Sequence, residues 1–277
     1  MLVDYHVHTP YCGHAQGKIV EYIESAIAAE LTEIGFADHL GRYYLSRSQK
    51  RRYWDWGMDE AACERYFEEI SGLQDAYKDD ITIKIGLEVD YVAGVEDIAE
   101  KITDQFPFDF LLGSLHCIPR FGWRHLAETS VDDTSKIFAE YFIQACECLK
   151  SDTFQTLAHL DFIWRYTKWP RRKTIDVFKL INETVACAAQ SNSCIEINAN
   201  GYLWSQLYQV RGGDPFEHMV KAIKEYKVPI TIGSDAHSPA HVAKIFPQLI
   251  EYLRHWGIKN VSVFTRKKRG KIPLGYD

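Results

Sequence analysis

Residues 2–15 read LVDYHVHTPYCGHA. The first half is a short apolar run that closes on His6-Val7-His8, and His14 follows on the polar side of it. Leu, Val and Tyr favour a strand. In a strand, residues i and i+2 project to one side. His6 and His8 therefore share a face and can reach one cation together. A strand ending in paired imidazoles predicts a sheet whose strand ends carry chemistry.

Working outward, the same pattern repeats. Strands are expected at EIGFAD (33–38), ITIKIGLEVD (81–90), FDFLLGSLHC (108–117), TFQTLAHL (153–160), CIEINAN (194–200) and PITIGSD (229–235). Between them lie runs with apolar residues at helical spacing. These are residues 19–31, 59–77 opened by Asp59 as N-cap, 95–106, 132–150, 175–191, 214–226 opened by Asp214-Pro215, and 241–256. Alternation of strand and helix implies parallel strands in an α/β fold. An open doubly wound sheet and a closed barrel both satisfy it. No GxGxxG follows the first strand, so a dinucleotide site has no support. No linker, repeat or low-complexity tract divides the 277 residues, and one domain is the simplest account.

Composition narrows the function classes. The net charge is −6, which argues against nonspecific nucleic-acid binding. No apolar run approaches ~18 residues, so no membrane span is expected. The opening residues enter a strand without a basic leader, so no secretory signal is visible. Seven scattered cysteines form no CxxC, which predicts reduced thiols and a cytoplasmic protein. The segment GRYYLSRSQKRRYWDWGM (41–58) is basic and aromatic without a period. It follows a strand end, the place where a βα barrel builds its site; the bland alternative is a solvated charged loop.

The strand ends carry a series of metal-capable groups: His6 and His8, Asp38-His39, Glu88, His116, His159 with Asp161, Glu196 with Asn198, and Asp235 with His237. Asp235 and His237 repeat the i, i+2 geometry of the first strand. Nitrogen and carboxylate donors suit Zn²⁺, Mn²⁺ or Fe²⁺ better than Ca²⁺ or Mg²⁺. A tetrahedral ion takes about four ligands, so this set is too large for one ion and fits two or three. Cys12 and Cys117 lie close by and are read as bystanders.

In order, DYHVHT, FADH, GLEVDY, GSLH, LAHLD and IGSDAH resemble the motifs of the PHP (polymerase and histidinol phosphatase) superfamily. The phrases HTPYCGHA, EIGFADH, DWGMD, GLEVDYVAG and FDFLLGSLH bring the likeness closest to its histidinol-phosphate phosphatases, over about residues 1–245. The resemblance implies a distorted (β/α)7 TIM-like barrel over about residues 1–265 with a basic tail at 266–277, either solvated or a packed strand with a loop. It also implies a trinuclear centre. His6 and His8 would share one ion with Glu88 and Asp235. Glu88 would bridge to an ion held by His116 and His159. His14, His39 and His237 would hold the third. His125, His218, His241 and His255 match no motif and are read as surface or packing residues.

Close cations lower the pKa of a shared water and clamp phosphoryl oxygens. The expected chemistry is in-line attack by a metal-bound hydroxide on a small phosphomonoester. Glu88, Asp235 and His237 stand at the reacting centre, and Asp161 is expected to orient His159. Arg165 and Arg42, then Arg120, are candidate phosphate-binding cations, because arginine offers a bidentate fork. The resemblance points to L-histidinol phosphate. Tyr43, Tyr44, Tyr53, Trp54, Asp55 and Trp56 could meet its amine and imidazole. After the sixth strand, however, NANGYLWSQ lacks the basic residue that relatives tend to carry there. The alternatives are another small phosphomonoester or nucleotide, a metal-dependent amidohydrolase, or a scaffold with a dead site. A monomer or small homo-oligomer is expected.

Overall fold

The computed structural model describes residues 1–52, 56–121, 125–128, 134–170 and 175–275. Seven parallel strands run in sequential order: β1 Val3–Val7, β2 Glu33–Leu40, β3 Thr82–Asp90, β4 Phe110–Ser114, β5 Thr156–Leu157, β6 Cys194–Asn198 and β7 Ile230–Gly233. β7 returns to β1. Val7 bridges Ala236, the His8 N–H donates to the Ala236 carbonyl at 2.9 Å, and the Asp235 N–H donates to the His6 carbonyl at 2.8 Å. The sheet is a nearly closed, distorted (β/α)7 barrel, the second of the two architectures that the alternation allowed.

Among the described residues, ten α-helices accompany the strands: α1 Ile19–Ala28, α2 Arg47–Arg52, α3 Glu60–Ala76, α4 Glu96–Thr103, α5 Ser135–Lys150, α6 Phe162–Tyr166, α7 Val177–Gln190, α8 Ala199–Leu207, α9 Pro215–Tyr226 and α10 Phe246–His255. Several of them start at side chains that satisfy the first free backbone N–H groups. Asp59 accepts from Ala62 N–H, Asp176 from Lys179 N–H and Asp214 from Phe216 N–H. The inward stripes of these helices bury residues such as Tyr22, Tyr66, Phe138 and Phe216 against the sheet. Among the described residues, no helix is long and apolar enough to cross a membrane.

The structure departs from the expected elements in four places. β5 keeps only two paired residues, because the chain turns off the sheet before His159. The last helix starts at Phe246, after a tight turn over Pro239–His241. α2, α6 and α8 lie in stretches without a helical apolar period. Residues 260–265 are not a barrel strand: β8 Asn260–Thr265 pairs antiparallel with β9 Lys268–Pro273 in a separate hairpin. The basic tail is thus half of a packed hairpin. Phe264 is buried against Tyr5 and Phe110, and the Lys267 and Arg266 amides donate to Asp109 just ahead of β4. The hairpin seals the N-terminal end of the barrel. Gly86 is required there, since a Cβ would meet the Phe110 ring at 2.5 Å.

Candidate metal centre

Parallel strands deliver their last side chains to the same end, and here that end is crowded with imidazoles. Glu88, wholly buried on β3, is the hub. Its Oε2 lies 2.7 Å from His39 Nδ1, 3.2 Å from His6 Nε2 and 3.5 Å from His8 Nε2. Its Oε1 lies 2.8 Å from His159 Nε2 and 3.2 Å from His116 Nε2. Asp235 Oδ1 stands opposite, 3.3 Å from His8 Nε2 and 3.8 Å from His6 Nε2. Donor atoms of His6, His8 and Asp235 all lie within 4.8 Å of one another, as do those of His6, Glu88 and His159, and of His14, His39 and His237. His39 joins the groups, because it also meets Glu88 with His8.

Other residues aim these rings. His6 Nδ1 lies 2.7 Å from Glu196 Oε1, and Glu196 Oε2 accepts the His159 N–H at 2.6 Å. Gly233 makes room: a Cβ there would stand 2.1 Å from Glu196 Oε1. His116 Nδ1 lies 2.7 Å from Asp90 Oδ1, while Tyr44 Oη and Trp56 Nε1 donate to Asp90 Oδ2 at 2.7 and 3.0 Å. His237 Nδ1 and His14 Nδ1 face the Asp235 and Cys12 carbonyls at 3.0 and 3.1 Å. In each case the acceptor assigns the proton to Nδ1 and leaves the Nε2 lone pair for a cation. Asp235 itself sits at φ 55°, a strained conformation for a side chain of this kind.

Burial and electrostatics fit divalent ions. His6 Nε2, both His8 ring nitrogens and Glu88 Oε2 are buried and make no well-aligned hydrogen bond despite their close approaches, and such groups are costly unless something pairs with them. Burial opposes charge on Glu88 and Asp235. Their imidazole neighbours outweigh it and hold both carboxyls well below the usual range. Burial, with His237 and His39 beside it, holds His8 well below the usual histidine range, in the neutral form that binds metal. The donor set fits a divalent metal.

The cavity above these residues measures about 330 Å³ and is lined by His14, His39, Trp56, His116, His125, His159, Phe162, Tyr166, Asp235 and His237. A PHP domain family model matches residues 4–200. The chain belongs to the PHP domain family. Over 271 residues it is 28% identical to a probable histidinol-phosphatase of Deinococcus radiodurans, covering 96% of this chain and 98% of that protein. It is 24% identical to the histidinol-phosphatase of Bacillus subtilis, covering 90% and 98%. In structure it is similar to the Lactococcus lactis histidinol phosphate phosphatase complexed with zinc, L-histidinol and phosphate. That likeness has a TM-score of 0.78 at 23% identity over 97% of this chain and 98% of that one.

All nine residues that the PHP motifs point to, His6, His8, His14, His39, Glu88, His116, His159, Asp235 and His237, converge at the mouth. The expected cations fare unevenly. Arg165 is buried, 2.7 Å from Asp161 Oδ2 through Nε and 3.9 Å from Asp235 Oδ2 through Nη2. Arg120 pairs with Glu140 at 3.1 Å through an exposed guanidinium, and neither it nor Arg165 is among the described lining residues. Arg42 donates to the Lys50 carbonyl at 2.7 Å and is not among the described lining residues. Asp161 does not orient His159; its carboxylate is held by Arg165, closely over Gly201. Tyr43 and Tyr44 turn inward, donating to the backbone and carboxylate of Asp90. Trp56 reaches the cavity. Tyr53, Trp54 and Asp55 lie outside the described residues.

His125 is not a surface or simple packing residue, since it lines the cavity. His218, by contrast, pairs with Asn182, and His241 and His255 are exposed. Cys117 is buried at 3.8 Å from Tyr44 Oη. The Cys12 sulfur shares a 4.8 Å neighbourhood with His8 and His237, closer to the donors than its reading as a bystander implied. All seven cysteines are free thiols. Glu196, expected as a metal-capable group, instead orients His6, and Asp90 was not expected at the site, although Glu88 and Asp90 show the same i, i+2 spacing as His6 and His8.

Proposed function

We propose that this PHP protein hydrolyses L-histidinol phosphate to L-histidinol and phosphate, with two or three divalent ions held by the nine residues at the barrel mouth. The observation that carries the reading is the Glu88 hub. Five imidazoles converge on one buried carboxylate, in a cavity sized for a small metabolite. The full-length likeness to histidinol-phosphatases supplies the substrate.

The ions would supply an activated water near neutral pH and charge for the phosphoryl oxygens. The chain's own residues do the remaining work. His6, His8, Glu88 and Asp235 form one ligand group, His116 and His159 with Glu88 a second, and His14, His39 and His237 a third. Glu196 and Asp90 hold protons on the Nδ1 atoms of His6 and His116, so that both Nε2 atoms face inward. Arg165, fixed by Asp161, stands behind Asp235 at 3.9 Å and is assigned to a phosphate oxygen. Asn200 Nδ2 donates to Asp235 Oδ2 at 3.3 Å and steadies that ligand.

The test is a phosphate-release panel with L-histidinol phosphate, sugar phosphates and nucleotides. The reading expects L-histidinol phosphate to give the highest kcat/KM by at least tenfold. A nucleotide or sugar phosphate in first place would overturn the substrate and leave the phosphatase chemistry.

A further inference from the structure

One wall of the cavity is aromatic. Trp56, His125, Phe162 and Tyr166 stand beside His116 and His159. The His125 ring presents edge-on contacts to Trp56 at 5.2 Å, Phe162 at 5.3 Å and Tyr166 at 5.7 Å, and lies nearly parallel to His116 at 6.2 Å. Phe162 and Tyr166 sit at i and i+4 on α6 with ring centroids 4.4 Å apart. The wall is braced from outside. Trp56 Nε1 donates to Asp90, the same carboxylate that aims His116. The Ala127 N–H donates to His125 Nδ1 at 3.1 Å, which places the ring proton on Nε2.

The composition of the wall is selective. Among the described lining residues there is no Lys or Arg, and Asp235 is the single carboxylate. A sugar or a second phosphate would find few polar partners there beyond the ligand set. A flat ring would find ring faces and edges, and an ammonium would find the electron-rich face of Trp56, the Arg165 guanidinium already lying over the Tyr166 ring at 5.4 Å.

We propose that Trp56, His125, Phe162 and Tyr166 form the seat for the alcohol half of the substrate, and select phosphomonoesters whose alcohol carries a flat heteroaromatic ring and an ammonium group. The proposal rests on the phosphatase reading above and adds the residues that set its specificity. Tyr166 is the most exposed of the four, at 46%, so its truncation spares the core.

The experiment uses the metal-loaded enzyme and its Tyr166→Ala, Tyr166→Phe and His125→Ala variants. It measures kcat/KM for L-histidinol phosphate against 2-aminoethyl phosphate, which has the amine but no ring, and the calorimetric Kd for L-histidinol. In Tyr166→Ala and His125→Ala the ratio of the two kcat/KM values should fall at least tenfold, mainly through KM, and L-histidinol should bind at least tenfold more weakly. Tyr166→Phe should restore both to within about threefold. Ratios and Kd values within twofold of wild type in both alanine variants would overturn the seat while leaving the phosphatase reading intact. If the wild type hydrolyses other phosphomonoesters but not L-histidinol phosphate, the substrate reading fails. The L-histidinol Kd then decides the seat alone: binding that the alanine variants lose upholds it, and no binding by the wild type overturns it.

Discussion

The two ends of the barrel are made from the same strands and behave as opposites. At the N-terminal end, Tyr5, Phe110 and Phe264 pack edge to face and face to face, with centroids 4.8 to 6.1 Å apart, under the C-terminal hairpin. At the other end, a few residues along those strands, buried imidazoles and carboxylates crowd together with polar atoms left unpaired. Each unpaired buried group costs about 1–3 kcal/mol. One end therefore stabilises the fold, and the other is tolerated because it binds something. Function concentrates where local rules of burial are broken.

If this division is right, substitutions at the two ends should separate activity from stability. The largest effect is expected for Glu88→Gln. Loss of the hub should lower kcat/KM by on the order of 10³-fold, with fewer ions per chain by elemental analysis. Phe264→Ala should do the reverse. It should cost roughly 3–5 kcal/mol of stability in urea denaturation, with kcat/KM of the folded protein within about threefold. A matching loss of activity would show that the ends are coupled.

Smaller effects probe the residues that serve the mouth without belonging to it. Asp90→Ala should weaken metal binding about 10–100-fold in chelator competition, because His116 loses its orienting partner. A change under twofold would sever Asp90 from the centre. Arg165→Lys keeps the charge but loses the planar fork, and should lower kcat/KM by roughly tenfold, about 1.4 kcal/mol. An unchanged value would remove Arg165 from the phosphate site. His14→Ala should have the mildest consequence at the mouth, releasing one ion and leaving the others; loss of every ion would show that the three groups are not separable.

The contrast between the ends also explains what could be read from the chain. The strand positions, and the donors at their ends, were legible because apolar runs ending in His or an acidic residue recur at most strands, and because i, i+2 spacing fixes a shared face; the grouping of those donors around ions came from the family resemblance alone. The hairpin was not. β9 is almost wholly exposed, so KRGKIP carries no alternation to betray a strand. Arg120 and Arg165 look alike along the chain, each a few residues past a ligand. Only α6, folding back at once after Asp161, buries one of them. His125 lacked any motif, and its place at the cavity depends on a long connection between β4 and α5. Asp90 was within reach, since the spacing that paired His6 with His8 also pairs it with Glu88.

The most direct test of the central claim is to strip the protein with a chelator and follow phosphate release from L-histidinol phosphate as Zn²⁺ or Mn²⁺ is added back, with bound ions counted on the same samples. Stripped protein should be inactive, and activity should return as two or three ions bind per chain. Stripped protein that keeps its full rate, or reconstituted protein that binds no ions, would contradict the account of the barrel mouth as a metal centre.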